Sequence, residues 1–143
     1  MRTWTAQKLV DAAPERVLAL LTDTDAVREW SPFPFDLDGA GTRLDPGTRV
    51  RVSGSLAGRR VGFDVEVHEA TDGRLALSAR GPVAMDVAYR ATAAGRGSEV
   101  CASVSVRPGG GLFGRVATEA TAALLHAGAL GVAVDRIART AAA

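Results

Sequence analysis

A chain of 143 residues with 47% apolar and 23% charged side chains is expected to form one domain, residues 1–143, and is neither disordered, collagen-like nor a disulfide scaffold. Seventeen basic residues stand against sixteen acidic ones, and the arginines are spread from Arg2 to Arg139, so there is no basic patch for nucleic acid. Cys101 is alone and the histidines are only His68 and His126, so no disulfide, metal or cofactor is expected, and a reducing, cytoplasmic setting fits.

Met1 to Val10 lacks the apolar core of a signal peptide, and the longest uncharged stretch, Ala120 to Val134, is too short to insert in a membrane. An extended segment, Thr3 to Val10, comes first. Pro14 and Glu15 then open a short helix carrying Val17, Leu18, Leu20 and Leu21. Thr22 to Asp25 offers capping oxygens for a second helix, Ala26 to Trp30, which Pro32 and Pro34 stop. Trp30 to Phe35 reads as an aromatic-rich extended loop, and Gly39 to Gly47 as a turn-rich continuation.

From Thr48 to Arg107 the apolar period changes to two, with turn signals at Ala57-Gly58, Asp72-Gly73, Gly81-Pro82 and Ala94-Gly95. Five antiparallel strands in meander order follow from that pattern. A two-residue turn at Ala57-Gly58 sets Val52 opposite Phe63 and Val50 opposite Val65, with Arg51 facing Asp64 and Arg49 facing Glu66 on the other side. A turn at Ala94-Gly95 pairs Tyr89 with Val100, Val87 with Ala102 and Met85 with Val104, and sets Arg90 against Glu99. Past the break at Pro108 to Gly111, a helical pattern runs from Leu112 to Ala138. Its expected apolar arc contains Val116, Ala120, Ala123, Leu124, Ala127, Gly131, Val134 and Ala138, a face rich in small side chains.

The element order β-α-α-β-β-β-β-β-α, an antiparallel sheet wrapped around a long C-terminal helix, is α+β. With Ala13 to Val17 opening the first helix, Trp30-Ser31-Pro32 closing the second and Gly111 to Gly114 before the last, the whole chain resembles the helix-grip superfamily of START and birch-pollen-allergen-like domains (SRPBCC). The resemblance is to its bacterial polyketide cyclase/dehydrase and lipid-transport branch. These motifs specify structure and leave activity open.

The resemblance implies a cavity between sheet and helix that takes a small hydrophobic molecule, lipid-like or polyketide-like. Phe63, Val65, Leu77, Met85, Val87, Tyr89 and Val104 have the phase that points there, with Leu124 and Ala127 on the helix side and Trp30, Phe33 and Phe35 at the mouth. The same residues also serve as an ordinary core. Tyr89 is read as the one ionisable group in the inward phase, a candidate to orient or protonate a ligand, or a core tyrosine bonded to backbone. Asp64, Glu66, His68, Arg80, Asp86 and Arg90 have the outward phase and suit cross-strand surface pairs. His126 falls on the helix surface, Gly109 to Gly111 reads as a flexible hinge lacking the lysine and hydroxyl of a phosphate loop, and Cys101 as an idle thiol. Three function classes follow: a binding module without chemistry, a polyketide cyclase/dehydratase-type enzyme, and a regulatory or assembly partner. Leu125, Ala129 and Val132 lie outside the inward arc, which points to a homodimer through this helix or to cover by the protein's own loops.

Overall fold

The computed structural model describes residues 2–31, 35–38, 43–56 and 58–142. In chain order it contains β1 (Arg2–Val10), α1 (Pro14–Thr22), α2 (Thr24–Trp30), β2 (Asp36–Asp38), β3 (Arg49–Leu56), β4 (Arg59–Thr71), β5 (Arg74–Arg80), β6 (Ala84–Ala94), β7 (Gly97–Arg107), α3 (Gly111–His126) and α4 (Ala129–Ala142). The strands form one antiparallel sheet in the order β1-β7-β6-β5-β4-β3-β2. Helices stand on one of its faces, the arrangement of a helix-grip α+β fold.

Local chemistry accounts for the first elements. Pro14 occupies the first turn of α1, where a missing N–H costs nothing. The Asp23 carboxylate accepts from the backbone N–H of Asp25 at 2.9 Å and of Ala26 at 3.4 Å, which starts α2 two residues earlier than expected. The segment after Trp30 contains one strand that the sequence pattern did not show, β2, whose three residues pair with β3 through Leu37 opposite Val52.

The β3–β4 ladder has the expected register: Val52 faces Phe63, Val50 faces Val65, Arg51 faces Asp64 and Arg49 faces Glu66. The β6–β7 ladder is displaced by two residues from expectation. Ala94 pairs with Gly97, so the turn is Gly95-Arg96; Tyr89 faces Ala102, Val87 faces Val104, Met85 faces Val106 and Arg90 faces Cys101. A slip of two leaves every side chain on its expected face, because strand side chains alternate with period two. A slip of one would have turned the inner face outward.

The C-terminal helical region departs most from the sequence pattern. It is two helices, α3 and α4, bent by 53° at a break where Gly128 has φ of 100°, a conformation that suits glycine. The break also changes the phase. Gly114, Ala117, Thr121 and Ala122 are the buried residues of α3, and Leu130, Ala133, Val134, Ile137 and Ala141 those of α4. Of the expected arc, Val116, Ala123, Leu124 and Ala127 are exposed instead. Neither helix alone is long and apolar enough to cross a membrane among the described residues.

α4 lies over β1 and β7 and against α1 and α2. Polar ties fix it along its length: Lys8 Nζ to Asp135 Oδ1 at 2.8 Å, Arg136 Nη1 donating to the Ser31 carbonyl at 2.5 Å, and Arg16 Nε donating to the Ala141 carbonyl at 2.7 Å. The Lys8 hydrogen bond, then its charge, hold the Asp135 carboxyl below its ordinary value. α3 approaches the sheet chiefly at β3 and β7. Its start is not the flexible hinge expected from three glycines. A β-carbon on Gly109 would collide with the Pro82 carbonyl oxygen, and one on Gly114 would press on the Gly109 backbone. The Gly109 N–H donates to Thr118 Oγ1 at 3.0 Å, and that hydroxyl donates to the Gly114 carbonyl at 2.7 Å.

Two stability outcomes follow. Ile137, which has no exposed surface, anchors α4, so Ile137→Ala should lower unfolding free energy by about 2–5 kcal/mol. Gly109→Ala should cost about 1–3 kcal/mol through backbone displacement, whereas Gly110→Ala, with open space around it, should cost much less. Denaturant melts of the three variants check the ranking; equal losses at Gly109 and Gly110 would show that the close approach does not hold.

Candidate functional site

The inner face of the sheet divides into two zones. At one end the side chains are sealed by α1, α2 and α4: Val10, Val17, Leu21, Val67, Leu75, Tyr89, Ala91, Val100 and Ala102 are all buried. Across the middle strands, Phe63 and Val65 of β4, Leu77 of β5 and Met85 and Val87 of β6 have the same inward phase but are only half-buried. Leu37 and Val52 extend this zone toward β2. These strands lie between β3 and β7 in the sheet, where α3 makes its main approaches. Val50, Ala79, Val104 and Val106, of the same phase, are buried among them, so the inner face here is an apolar floor with partial cover.

Tyr89 and Trp30 stand together in the sealed zone, 6% and 7% exposed. Their rings meet edge to face with centroids 5.3 Å apart and planes at 70°, a favourable arrangement of ring quadrupoles. Trp30 is therefore a buried wall and not the mouth residue expected from the loop that follows it. Tyr89, opposite Leu75 and Ala102 on its neighbouring strands, sits among apolar groups, and burial raises its phenol above the ordinary 10.0. Trp30 Nε1 is the single buried side-chain nitrogen or oxygen without a hydrogen-bond partner among the described residues.

The other expected site residues fall differently. Phe35 is half-buried immediately before β2, and Phe33 lies outside the described residues. Leu124 is 39% exposed and Ala127, at the C-cap of α3, is exposed too. The break at Gly128 rotates both away from the role given them by an unbroken helix, and a leucine at Ala127 would extend into solvent without filling an interior space. Leu125, expected on the outside, packs against the core, Ala129 is half-buried, and only Val132, 41% exposed, remains of the apolar surface expected to draw a second copy. Tyr89 is also not the sole ionisable residue in the helix-facing phase. On edge strand β1, Arg2 and Lys8 share the phase of Trp4 and Val10, and they reach Glu119 of α3 and Asp135 of α4 at the rim; on β4, Arg59 shares the phase of Val61 and Phe63 and its guanidinium lies over the Phe113 ring of α3, 4.7 Å from the centroid.

On the outer face the charges pair across strands as expected, Arg51 with Asp64 at 2.7 Å and Arg49 with Glu66 at 3.6 Å, and Arg107 reaches Asp86 at 3.4 Å. Arg90 is opposite Cys101, not Glu99. A bulge between Val67 and Glu69 turns His68 toward Ser78, with Nε2 2.9 Å from Oγ and Nδ1 3.9 Å from the Glu66 carboxylate. This resembles a nucleophile and its base, but the pair lies exposed on the outer face, where a cross-strand side-chain hydrogen bond accounts for it. Burial and then Glu99 push the Cys101 thiol up, the opposite of an activated nucleophile. His126 is exposed and meets Trp4 edge-on with ring centroids 5.5 Å apart. Grooves also open between α1 and the strand ends, about 740 Å³ with Arg43, Arg74 and Arg90 in its lining, and between β1 and α3, about 310 Å³ beside Trp4.

Since Tyr89 is the only tyrosine, its ionisation can be read directly from tyrosinate absorbance. A raised folded value means that the native phenol keeps its proton after the unfolded one releases it, so its contribution is intact below pH 10.0 and is lost as pH climbs above it. The native protein should show little tyrosinate at about pH 10.5 and develop it together with unfolding; an early titration, with native circular dichroism retained, would place the hydroxyl in water.

Comparison with known proteins agrees with this architecture. Residues 1–142 match the family model described as polyketide cyclase / dehydrase and lipid transport. Similar solved structures include the ZhuI aromatase/cyclase from Streptomyces sp. R1128, 16% identical over 98% of this chain and 93% of that one with a TM-score of 0.76. TTHA0849 from Thermus thermophilus is 16% identical over 98% of this chain and 97% of that one, also with a TM-score of 0.76. DynU16, a protein of the dynemicin biosynthetic locus, is 23% identical over 96% of this chain, which spans 46% of DynU16, with a TM-score of 0.65. No curated protein matches significantly. With its model matched across nearly the whole sequence and its sheet and helices in the helix-grip arrangement, this chain belongs to the polyketide cyclase / dehydrase and lipid transport family.

Proposed function

We propose that the protein binds a small hydrophobic molecule, lipid-like or polyketide-like, on the inner face of the sheet beneath α3. One observation carries the reading: Phe63, Val65, Leu77, Met85 and Val87 are inward-facing apolar side chains that the fold leaves half-buried. Covering such a floor with an apolar ligand releases its water at about 25 cal/mol per Å². The family description supports this ligand class. The sole cysteine suits a reducing, cytoplasmic compartment.

A cyclase or dehydratase is the second reading, favoured by the aromatase/cyclase among the similar structures. The chemistry of the zone weighs toward binding. The inward phase of β3 to β7 carries no carboxylate, imidazole or amine and one guanidinium, Arg59, which lies over the Phe113 ring and keeps its proton at any working pH, and a phenol whose ionisation is raised by burial is poorly matched to proton transfer at neutral pH. A regulatory or assembly role would leave the floor without a small-molecule occupant.

N-phenyl-1-naphthylamine, an uncharged fluorescent probe, tests the site. Its emission should rise with the native protein, Val87→Trp should weaken binding about tenfold or more by occupying the floor, and Leu112→Ser, at a position 82% exposed, should leave it unchanged. Binding that survives Val87→Trp in a folded variant would place the probe elsewhere. Tyr89→Phe separates the first two readings: a binder loses about 0.5–1.5 kcal/mol of affinity or less, whereas an enzyme using the phenol as acid loses roughly a hundredfold in turnover with binding retained.

A further inference from the structure

Trp30 Nε1 is the inner face's one orphan among the described residues. An indole N–H donates and cannot accept, and leaving it unpaired in a buried position carries the full desolvation penalty of the group. It stands edge-on to Tyr89, 5.3 Å between ring centroids. The Tyr89 hydroxyl, kept neutral by burial, adds a second donor. Val87, two residues before Tyr89 with the same phase, begins the half-buried floor, so the paired rings stand where that floor meets the sealed zone.

We propose that the bound molecule carries a neutral carbonyl oxygen, as a ketone, quinone or lactone does, and seats it on Trp30 Nε1 with the Tyr89 hydroxyl beside it. This rests on the binding reading above and specifies its ligand. A hydrocarbon leaves the N–H unmet. A carboxylate needs a cation, and none is offered beside Trp30: the one arginine in the inward phase of β3 to β7, Arg59, opens β4 at the end opposite the Ala70–Leu75–Tyr89 row and lies over the Phe113 ring, Lys8 is held by Asp135, and Arg136, which reaches this end from α4, donates to the Ser31 carbonyl. Burying an unpaired carboxylate costs far more than one hydrogen bond returns. A carbonyl supplies the acceptor without the charge. Nε1 is closed off as the rings now stand, so the oxygen reaches it by easing the indole from its neighbours, and both rings shift on binding.

The test uses two probes of similar shape, 2-acetylnaphthalene and 2-isopropylnaphthalene, titrated into the full chain and into Trp30→Phe. The ratio of their dissociation constants should move about tenfold against the ketone in the variant, the worth of one buried hydrogen bond; comparing ratios cancels the difference in hydrophobicity of the probes. Independently of the variant's folding, nitrogen-15-labelled native protein has two indole signals, from its two tryptophans, which Trp4→Phe assigns. The Trp30 N–H proton should move downfield with the ketone and not with the hydrocarbon. If both probes bind with an unchanged ratio and the signal responds alike to both, the carbonyl proposal is overturned and hydrophobic binding stands. If neither binds, the binding reading falls and takes the proposal with it.

Discussion

The structure turns on a mismatch of widths. A seven-stranded sheet presents an apolar inner face broader than two short helices and α4 can cover, and α4 is committed to the β1–β7 side. What α1, α2 and α4 cover becomes core, with Val17, Leu21, Val100 and Ile137 fully enclosed. What they do not cover falls under α3, which approaches from the two sides of the gap. The half-buried apolar floor is the geometric remainder of making the core, so the same strands supply both without a change in their pattern.

That common pattern explains what could be read from the residues. Alternation assigned Val50, Phe63, Val65, Met85 and Val87 to one face and Arg49, Asp64 and Arg51 to the other, and the ladders agree. The β3–β4 register was legible because apolar pairs and charge pairs coincide in one alignment only. At β6–β7 a run of alanines, Ala91, Ala93 and Ala94, offers no such penalty for sliding, and Gly95 suits either turn. Parity survived because hairpin registers in steps of two preserve the face.

Helix phase was less accessible. A pattern read through Gly128 as continuous accumulates a rotation that the break resets, which is why Leu124 and Ala127 were expected inside and Leu125 outside. The placement of Trp30 was hidden for another reason. Its burial depends on contact with Tyr89, far along the chain on β6, and no local spacing encodes that meeting. The single strand β2 escaped notice because three residues are too few to establish a period.

The bend at Gly128 separates more than direction. α4 is joined to β1, α1 and the end of α2 by directional polar bonds as well as by a full apolar face, so opening it breaks contacts with three other elements at once. α3 has a sparser buried face and, beyond its glycine-locked first turns, holds the sheet edge through an ion pair 3.8 Å long between Glu119 and Arg2 and the edge-on contact of His126 with Trp4. The two helices therefore belong to different cooperative units. Slow deuterium uptake in α4 beside fast uptake through the later turns of α3 is the signature of that division: the roof over the floor can part while the wall behind it stays folded.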